Sequence, residues 1–300
     1  MFRTKIKNLA GRLVFTPINI KENIMLSNFY IEEHVKQALQ EDIGFGDVTT
    51  ESIIGNNLIY YAKLTSRVEG VVCGLEVFKT VFKILSDNVE VKLLFNDGDK
   101  IHKGDVLAEI KGPAKYILLG ERVSLNYIQR MSGIATETRK YQDAIGELPC
   151  KIVDTRKTTP NFRAFEKYAV KCGGGALHRF NLSDCAMIKD NHIKVAGSVT
   201  NAVKMVKANL SHAHKIELEC DTLEQVKEAL PSGVDIIMLD NMSLEQMKEA
   251  VKLIDHRAIV EASGNVNLNT VRSIAECGVD IISSSAIVAK APALDLGLDM

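Results

Sequence analysis

The chain has no tryptophan, only six prolines in 300 residues, and no excess of either charge, with 37 Lys and Arg against 38 Asp and Glu. That balance, with an isoelectric point near 6.7, argues against a general nucleic-acid binder. No apolar run approaches the roughly 20 residues of a membrane-spanning helix. The six cysteines, Cys73, Cys150, Cys172, Cys185, Cys220 and Cys277, include no CxxC pair, and several lie inside apolar runs. They read as small core residues kept reduced in a cytoplasmic protein, rather than as a zinc site or a disulfide framework. Neither the glycine-rich dinucleotide signature nor the P-loop pattern occurs.

What is present is ordinary for a globular enzyme: 46% hydrophobic and 25% charged residues, enough for one large α/β domain or two smaller ones. Residues 1–21 carry Arg3, Lys5, Lys7, Arg12 and Lys21 with no acid before Glu22, which resembles a weak transit peptide without a secretory apolar region. Met25 reads equally as a start. Residues 1–27 are therefore treated as an extension outside the fold.

Periodicity predicts a short amphipathic helix over 30–40, a strand over 58–66, a helix over 75–85, and short strands split by Asp-Gly and Lys-Gly turns over 89–112. A long helix over 114–146, ended by Pro149, bridges to a second domain. The strands and helix over 58–112 form a compact α+β unit. Over 149–288, short apolar strands (KIVD, AMIKD, KIELEC, VDIIMLD, AIVEAS, VDIISSS) alternate with helices, which implies parallel strands joined by crossovers. Glu219, Asp240 and Glu261 recur every 21 residues, each at or near a strand's C-terminal end. A β/α barrel builds its active-site rim this way, so the barrel is preferred to an open doubly wound sheet.

The segment Asp154–Lys194 holds eight Lys/Arg against four Asp/Glu, a local surplus suited to a small polyanion. Arg156 and Lys157 follow KIVD, and Lys189 ends AMIK. His178 and Arg179 follow three glycines, Gly173 to Gly175, whose backbone is expected to approach a ligand closely. Arginine grips carboxylate or phosphate through a fork and lysine supplies a point charge. Any one of these lysines reads equally well as surface charge, but convergence of the group on strand ends does not. Glu219 and Asp240 can hold Mg²⁺ or offset the cations. Glu217 shares a face with Glu219, so pattern alone does not choose between them. Ser263-Gly264-Asn265 and Ser283 to Ser285 end the last two strands, where barrels commonly bind phosphate. His192 reads as structural sooner than catalytic, and Arg122 as a solvated helix residue.

With these residues in view, the chain closely resembles the quinolinate phosphoribosyltransferases. The resemblance spans about residues 28–300 and rests on EDIGFGDVTT, GERVSLNYIQRMSGIAT, DTRKTTP with the following EKYAV, GGG, HR and IKDNHI, then IELEC, IIMLDN, EASGN and LDLGLDM. It implies an N-terminal α/β sandwich over 28–148, an incomplete seven-stranded β/α barrel over 149–288, and a tail, 289–300, returning to the first domain. It further implies a homodimer with a shared active site, and transfer of phosphoribose from phosphoribosyl pyrophosphate to quinolinate with loss of CO₂, using Mg²⁺. Quinolinate contacts then fall on Arg156, His178, Arg179 and Lys189, with Arg122 from the partner. Thr155 and Lys157 fall near phosphoribosyl pyrophosphate, Glu219 and Asp240 near ribose and metal, and Ser263, Gly264, Asn265, Ser284, Ser285 and Ala286 near the 5′-phosphate. Ser285 stands where the family usually has glycine, which is expected to narrow that loop.

Overall fold

The computed structural model describes residues 6–7, 13–14, 26–55 and 58–299. Within the expected N-terminal extension it describes an antiparallel pairing of Ile6–Lys7 with Leu13–Val14. The transit-peptide reading otherwise lies outside the described residues.

The first helix runs Asn28–Ile43, longer at both ends than its apolar spacing predicts, because caps extend it. The Ser27 hydroxyl accepts from the Tyr30 N–H, and Gly44, at φ 56°, donates back to the Gln40 carbonyl. The helix Leu75–Leu85 begins and ends as its periodicity predicts and buries Leu75, Val77, Phe78, Val81 and Phe82. It lies close to a four-stranded antiparallel sheet in the order Leu296–Asp299, Ile59–Ser66, Val106–Pro113, Glu90–Leu93. Leu64, Leu107, Ile110, Phe78 and Phe82 make the core of this layer, joined by Leu298 from the chain's far end.

The helix Ala114–Ile145 spans 32 residues and contributes to both hydrophobic cores. Glycine lets it be approached closely at one point: a Cβ on Gly133 would sit 1.9 Å from the Pro292 carbonyl oxygen.

Beyond it lies a six-stranded parallel sheet in the order Lys151–Val153, Ile281–Ser283, Ile259–Ser263, Ile236–Asp240, Ile216–Cys220, Ala186–Ile188. Its crossover helices include Leu223–Ser232 and Leu244–Ile254, each opened by a reciprocal capping box, Thr222 with Gln225 and Ser243 with Gln246. The sheet curls as an incomplete barrel. Where a seventh strand would stand, a single bridge joins Val153 to Ala176. The segment after Ala176 cannot ladder because its N–H groups go to side chains: His178 to Asp154, Phe180 to Asp184, Ser183 to Asn181. The bonds that leave the barrel open are the bonds that shape the site.

Candidate active site

Parallel register fixes the rim. Glu219 pairs with Met238 and Met238 with Glu261, whereas Asp240 pairs two residues further along with Ser263. The 21-residue period therefore does not align three equivalent acids. Glu219 is penultimate in its strand and Asp240 is last, but Glu261 is central in Ile259–Ser263 and buried.

His178 fills the space between the two buried acids, Glu217 and Glu261. Its Nε2 lies 3.3 Å from Glu217 and 3.4 Å from Glu261, and both glutamates are almost wholly buried. Burial opposes charging of the imidazole, but hydrogen bonding and attraction to Glu217 and Glu261 outweigh it and raise its pKa to about 10. Its Nδ1 accepts the Arg179 N–H at 2.7 Å, which places the ring proton on Nε2, facing the two glutamates. One Nε2–H cannot satisfy every oxygen, and Glu217 Oε2 and Glu261 Oε1 are left with charge contact but no hydrogen bond.

A second buried pair sets the loop. Lys167 Nζ lies 2.6 Å from Asp154 Oδ2 and also donates to the His178 carbonyl at 2.9 Å, while Asp154 accepts the His178 N–H at 2.8 Å. Burial pushes the Asp154 carboxyl up and the Lys167 amine down, and the ion pair opposes both. Arg163 stitches the two cationic loops together, reaching Thr158, the Arg156 carbonyl and the Phe180 carbonyl at 3.0, 3.3 and 3.1 Å. From the long helix, Arg130 grips buried Glu166 at 2.8 Å, and Glu166 accepts from the Thr159 N–H and hydroxyl at 2.9 Å each.

On this frame Arg156 and Lys157 are exposed, with Thr155 Oγ1 accepting the Lys157 N–H at 3.0 Å. The Arg179 guanidinium is held by the Cys185 carbonyl at 2.8 Å and lies 3.5 Å from the Met187 sulfur. Among the described residues Arg156, Lys157 and Arg179 make no ion pair. Lys189 is bonded to Glu219, and Asp240 accepts from Asn241 at 2.9 Å. Glu217 is occupied by His178, which leaves Glu219 as the strand's outer acid and resolves what alternation could not.

Several expectations change. The glycine run does not open the backbone to a ligand: a Cβ on Gly173 would meet the Ala135 carbonyl at 2.4 Å, and one on Gly175 would meet Thr138 at 2.8 Å. These glycines let the loop pass tightly against the long helix. In the 284–286 loop, the Ser284 N–H goes to the Val153 carbonyl and the Ala286 N–H to Ser284 Oγ, so only the Ser285 N–H and hydroxyl lack partners among the described residues. Ser285 has φ −73°, a conformation open to any residue, so it causes no backbone strain. Gly264 is required where it stands, at φ 94° with a Cβ position 2.2 Å from Asn241 Oδ1, and Asn265 Nδ2 reaches that same oxygen at 3.3 Å. His192 accepts the Lys189 N–H and so helps cap the helix Asp190–Ala196, a structural role. Arg122 is exposed on the long helix and, among the described residues, has no hydrogen bond or ion pair to the strand-end cluster.

Sequence reasoning overlooked Asp154, Lys167, Glu166 and Arg130. A signal existed for Lys167, which sits with Ala164 and Tyr168 on the buried face of its helix, where a charge demands a partner.

An open β/α barrel whose strand ends hold unpaired cations opposite two carboxylates defines an enzyme site for a polyanionic substrate. Comparison with known proteins makes this specific. Residues 134–299 match the C-terminal domain of quinolinate phosphoribosyl transferase and residues 47–132 match its N-terminal domain. The probable nicotinate-nucleotide pyrophosphorylase (carboxylating) of Synechocystis sp. is 43% identical over 273 residues, covering 90% of this chain and 92% of its own length. The protein of the same name from Bacillus subtilis is 41% identical over 275 residues, covering 92% and 95%. The crystal structure of NadC from Streptococcus pyogenes superposes with a TM-score of 0.90 at 42% identity, covering 92% of this chain and 97% of that one. The chain belongs to the quinolinate phosphoribosyltransferase family.

Proposed function

We propose that this protein transfers phosphoribose from phosphoribosyl pyrophosphate to quinolinate with decarboxylation, giving nicotinate mononucleotide, pyrophosphate and CO₂ in de novo NAD biosynthesis. The observation that carries the reading is His178, fixed at Nε2 by Glu217 and Glu261 and at Nδ1 by the Arg179 N–H it accepts, so that Arg179 is positioned beside it. Two adjacent carboxylates on a pyridine ring need several fixed cations. Arg156, Arg179 and Lys189 supply them beside His178, and Arg122 of a second copy completes the set in a homodimer.

Lys157, with Thr155 fixing its backbone, faces the pyrophosphate. The C1′–O bond breaks as the pyridine nitrogen bonds to C1′, and Glu219 and Asp240 offset the positive charge that develops on the ribose. Ser263 to Asn265 and the free Ser285 groups receive the 5′-phosphate. The C2–carboxylate bond then breaks, its electrons pass into the cationic ring, CO₂ leaves, and C2 takes a proton from water. No covalent enzyme intermediate is needed.

The two rim carboxylates, hard oxygen donors on neighbouring strand ends, fit Mg²⁺, which takes one or two protein carboxylates plus substrate oxygens. Bound there, Mg²⁺ would neutralise charge on the leaving pyrophosphate. No described helix is long and apolar enough to cross a membrane. The six free cysteines favour a reducing, cytoplasmic setting.

The test is CO₂ release by purified protein supplied with quinolinate, phosphoribosyl pyrophosphate and Mg²⁺. Turnover of quinolinate well above that of nicotinate is expected. Absence of CO₂ release, or a preference for nicotinate, would sink the proposal.

A further inference from the structure

Away from the active site, Cys73, Asp97 and Cys172 bring two sulfurs and a carboxylate oxygen within 4.8 Å of one another. The three come from distant segments. Cys73 precedes Gly74 at the start of the Leu75–Leu85 helix, Asp97 lies in the turn after Glu90–Leu93, and Cys172 ends the first barrel helix, Arg163–Cys172.

The frame around them is rigid. Ser132 of the long helix accepts the Cys73 N–H at 2.9 Å. Asp97 Oδ1 accepts the Gly74 and Leu75 N–H groups at 2.9 and 3.0 Å, and Oδ2 accepts the Tyr168 hydroxyl at 2.8 Å. A carboxylate offers about four lone-pair positions, so three bonds leave one for a further partner. A cavity of about 390 Å³ lined by Asp97, Tyr168, Glu76 and Ser27 brings solvent space to the carboxylate side of the cluster.

We propose that Cys73 Sγ, Cys172 Sγ and one oxygen of Asp97 bind a thiophilic divalent cation of the zinc class, with a water from this cavity as fourth ligand. Zinc–sulfur bonds of about 2.3 Å in a tetrahedron place two sulfurs about 3.8 Å apart, within the observed spread. Binding releases the two thiol protons, and the metal takes both thiolates. A disulfide is the poorer reading of the same geometry. A fully buried thiol is a weak nucleophile, and a neighbouring carboxylate disfavours the thiolate needed for exchange. The cation would clasp the N-terminal domain to the barrel just before the glycines that lead to His178.

The test uses the full-length reduced protein, stripped with a chelator and titrated with Co²⁺ as a spectroscopic stand-in for zinc. One Co²⁺ per chain, a thiolate-to-cobalt charge-transfer band, its loss on adding Zn²⁺, and a higher melting temperature with Zn²⁺ are expected. Oxygen-only binding at Glu219 and Asp240 gives no such band, so the two sites are told apart. Cys172→Ser should lose the band and at least tenfold in affinity while circular dichroism shows an intact fold, and Cys277→Ser should keep both. Absence of stoichiometric binding by the native sequence overturns the proposal. So does a band that survives in Cys172→Ser, or a Cys73–Cys172 disulfide in non-reduced peptides of protein prepared with zinc.

Discussion

Glu217 and Glu219 sit two residues apart on one strand and face the same side, yet the inner one holds His178 and the outer one Lys189. The pair divides labour by depth. Glu219→Gln should lower turnover by roughly 10²- to 10³-fold, the scale of removing one transition-state electrostatic contact, with little change in melting temperature. A melting curve shifted as far as the activity would contradict a rim role.

Glu217→Gln should act through His178. In the native protein the histidine pKa is raised to about 10, so its stabilising charge is fully present below its ordinary value near 6.5. That contribution is lost as pH rises through about 10. With Glu217 neutralised, the histidine pKa falls back toward its ordinary value. Glu261 still holds the ring, so the pKa falls only part of the way, and the KM for quinolinate should begin to rise at a lower pH than in the native protein. Parallel pH profiles for the two proteins would refute the assignment.

Lys167→Met leaves Asp154 buried beside an apolar chain. Breaking a buried ion pair in this way costs about 3–5 kcal/mol, read as a lower denaturant midpoint. Because Asp154 and Lys167 also hold the His178 backbone, quinolinate affinity should fall with stability. Unchanged affinity in the folded variant would separate the pair from the site.

Gly133→Ala forces a Cβ against the Pro292 carbonyl and should cost about 1–3 kcal/mol, as overpacking does. Gly55→Ala meets nothing within 4 Å and has no positive φ, so it should be neutral or stabilising by up to about 1 kcal/mol. Chemical denaturation of the two variants side by side checks the contrast.

Arg122 offers a test of subunit sharing. Arg122→Ala and Arg179→Ala should each be nearly inactive, and mixing them under conditions of subunit exchange should restore part of the activity. No recovery despite proven exchange would place Arg122 in its own subunit's chemistry, or outside it.

Much of this was legible in the sequence where a signal is local. The Leu75–Leu85 and Ala114–Ile145 helices, and the alternation of strands and helices after residue 150, follow from apolar spacing and caps. The cationic loop residues were legible because they sit beside recognisable strand ends. The choice between Glu217 and Glu219 was not legible from alternation, since it depends on His178 arriving from 39 residues away. The glycine run was misread for a similar reason: its close neighbour is the long helix at Ala135 and Thr138, which no local pattern announces. The 21-residue spacing of acids misled, because long-range pairing sets Glu219 and Glu261 level, with Asp240 one row above them, and Glu261 is buried against His178.

The pairing of Leu296–Asp299 with Ile59–Ser66 has a consequence for synthesis. The first domain leaves the ribosome long before its outermost strand exists. Until residue 299 emerges, Ile59–Ser66 presents an unpaired edge, the kind of surface that invites pairing with another chain. The entire barrel is made in that interval. The domain that begins first is therefore finished last, and the chain's closing residues seal the edge that its opening residues left exposed.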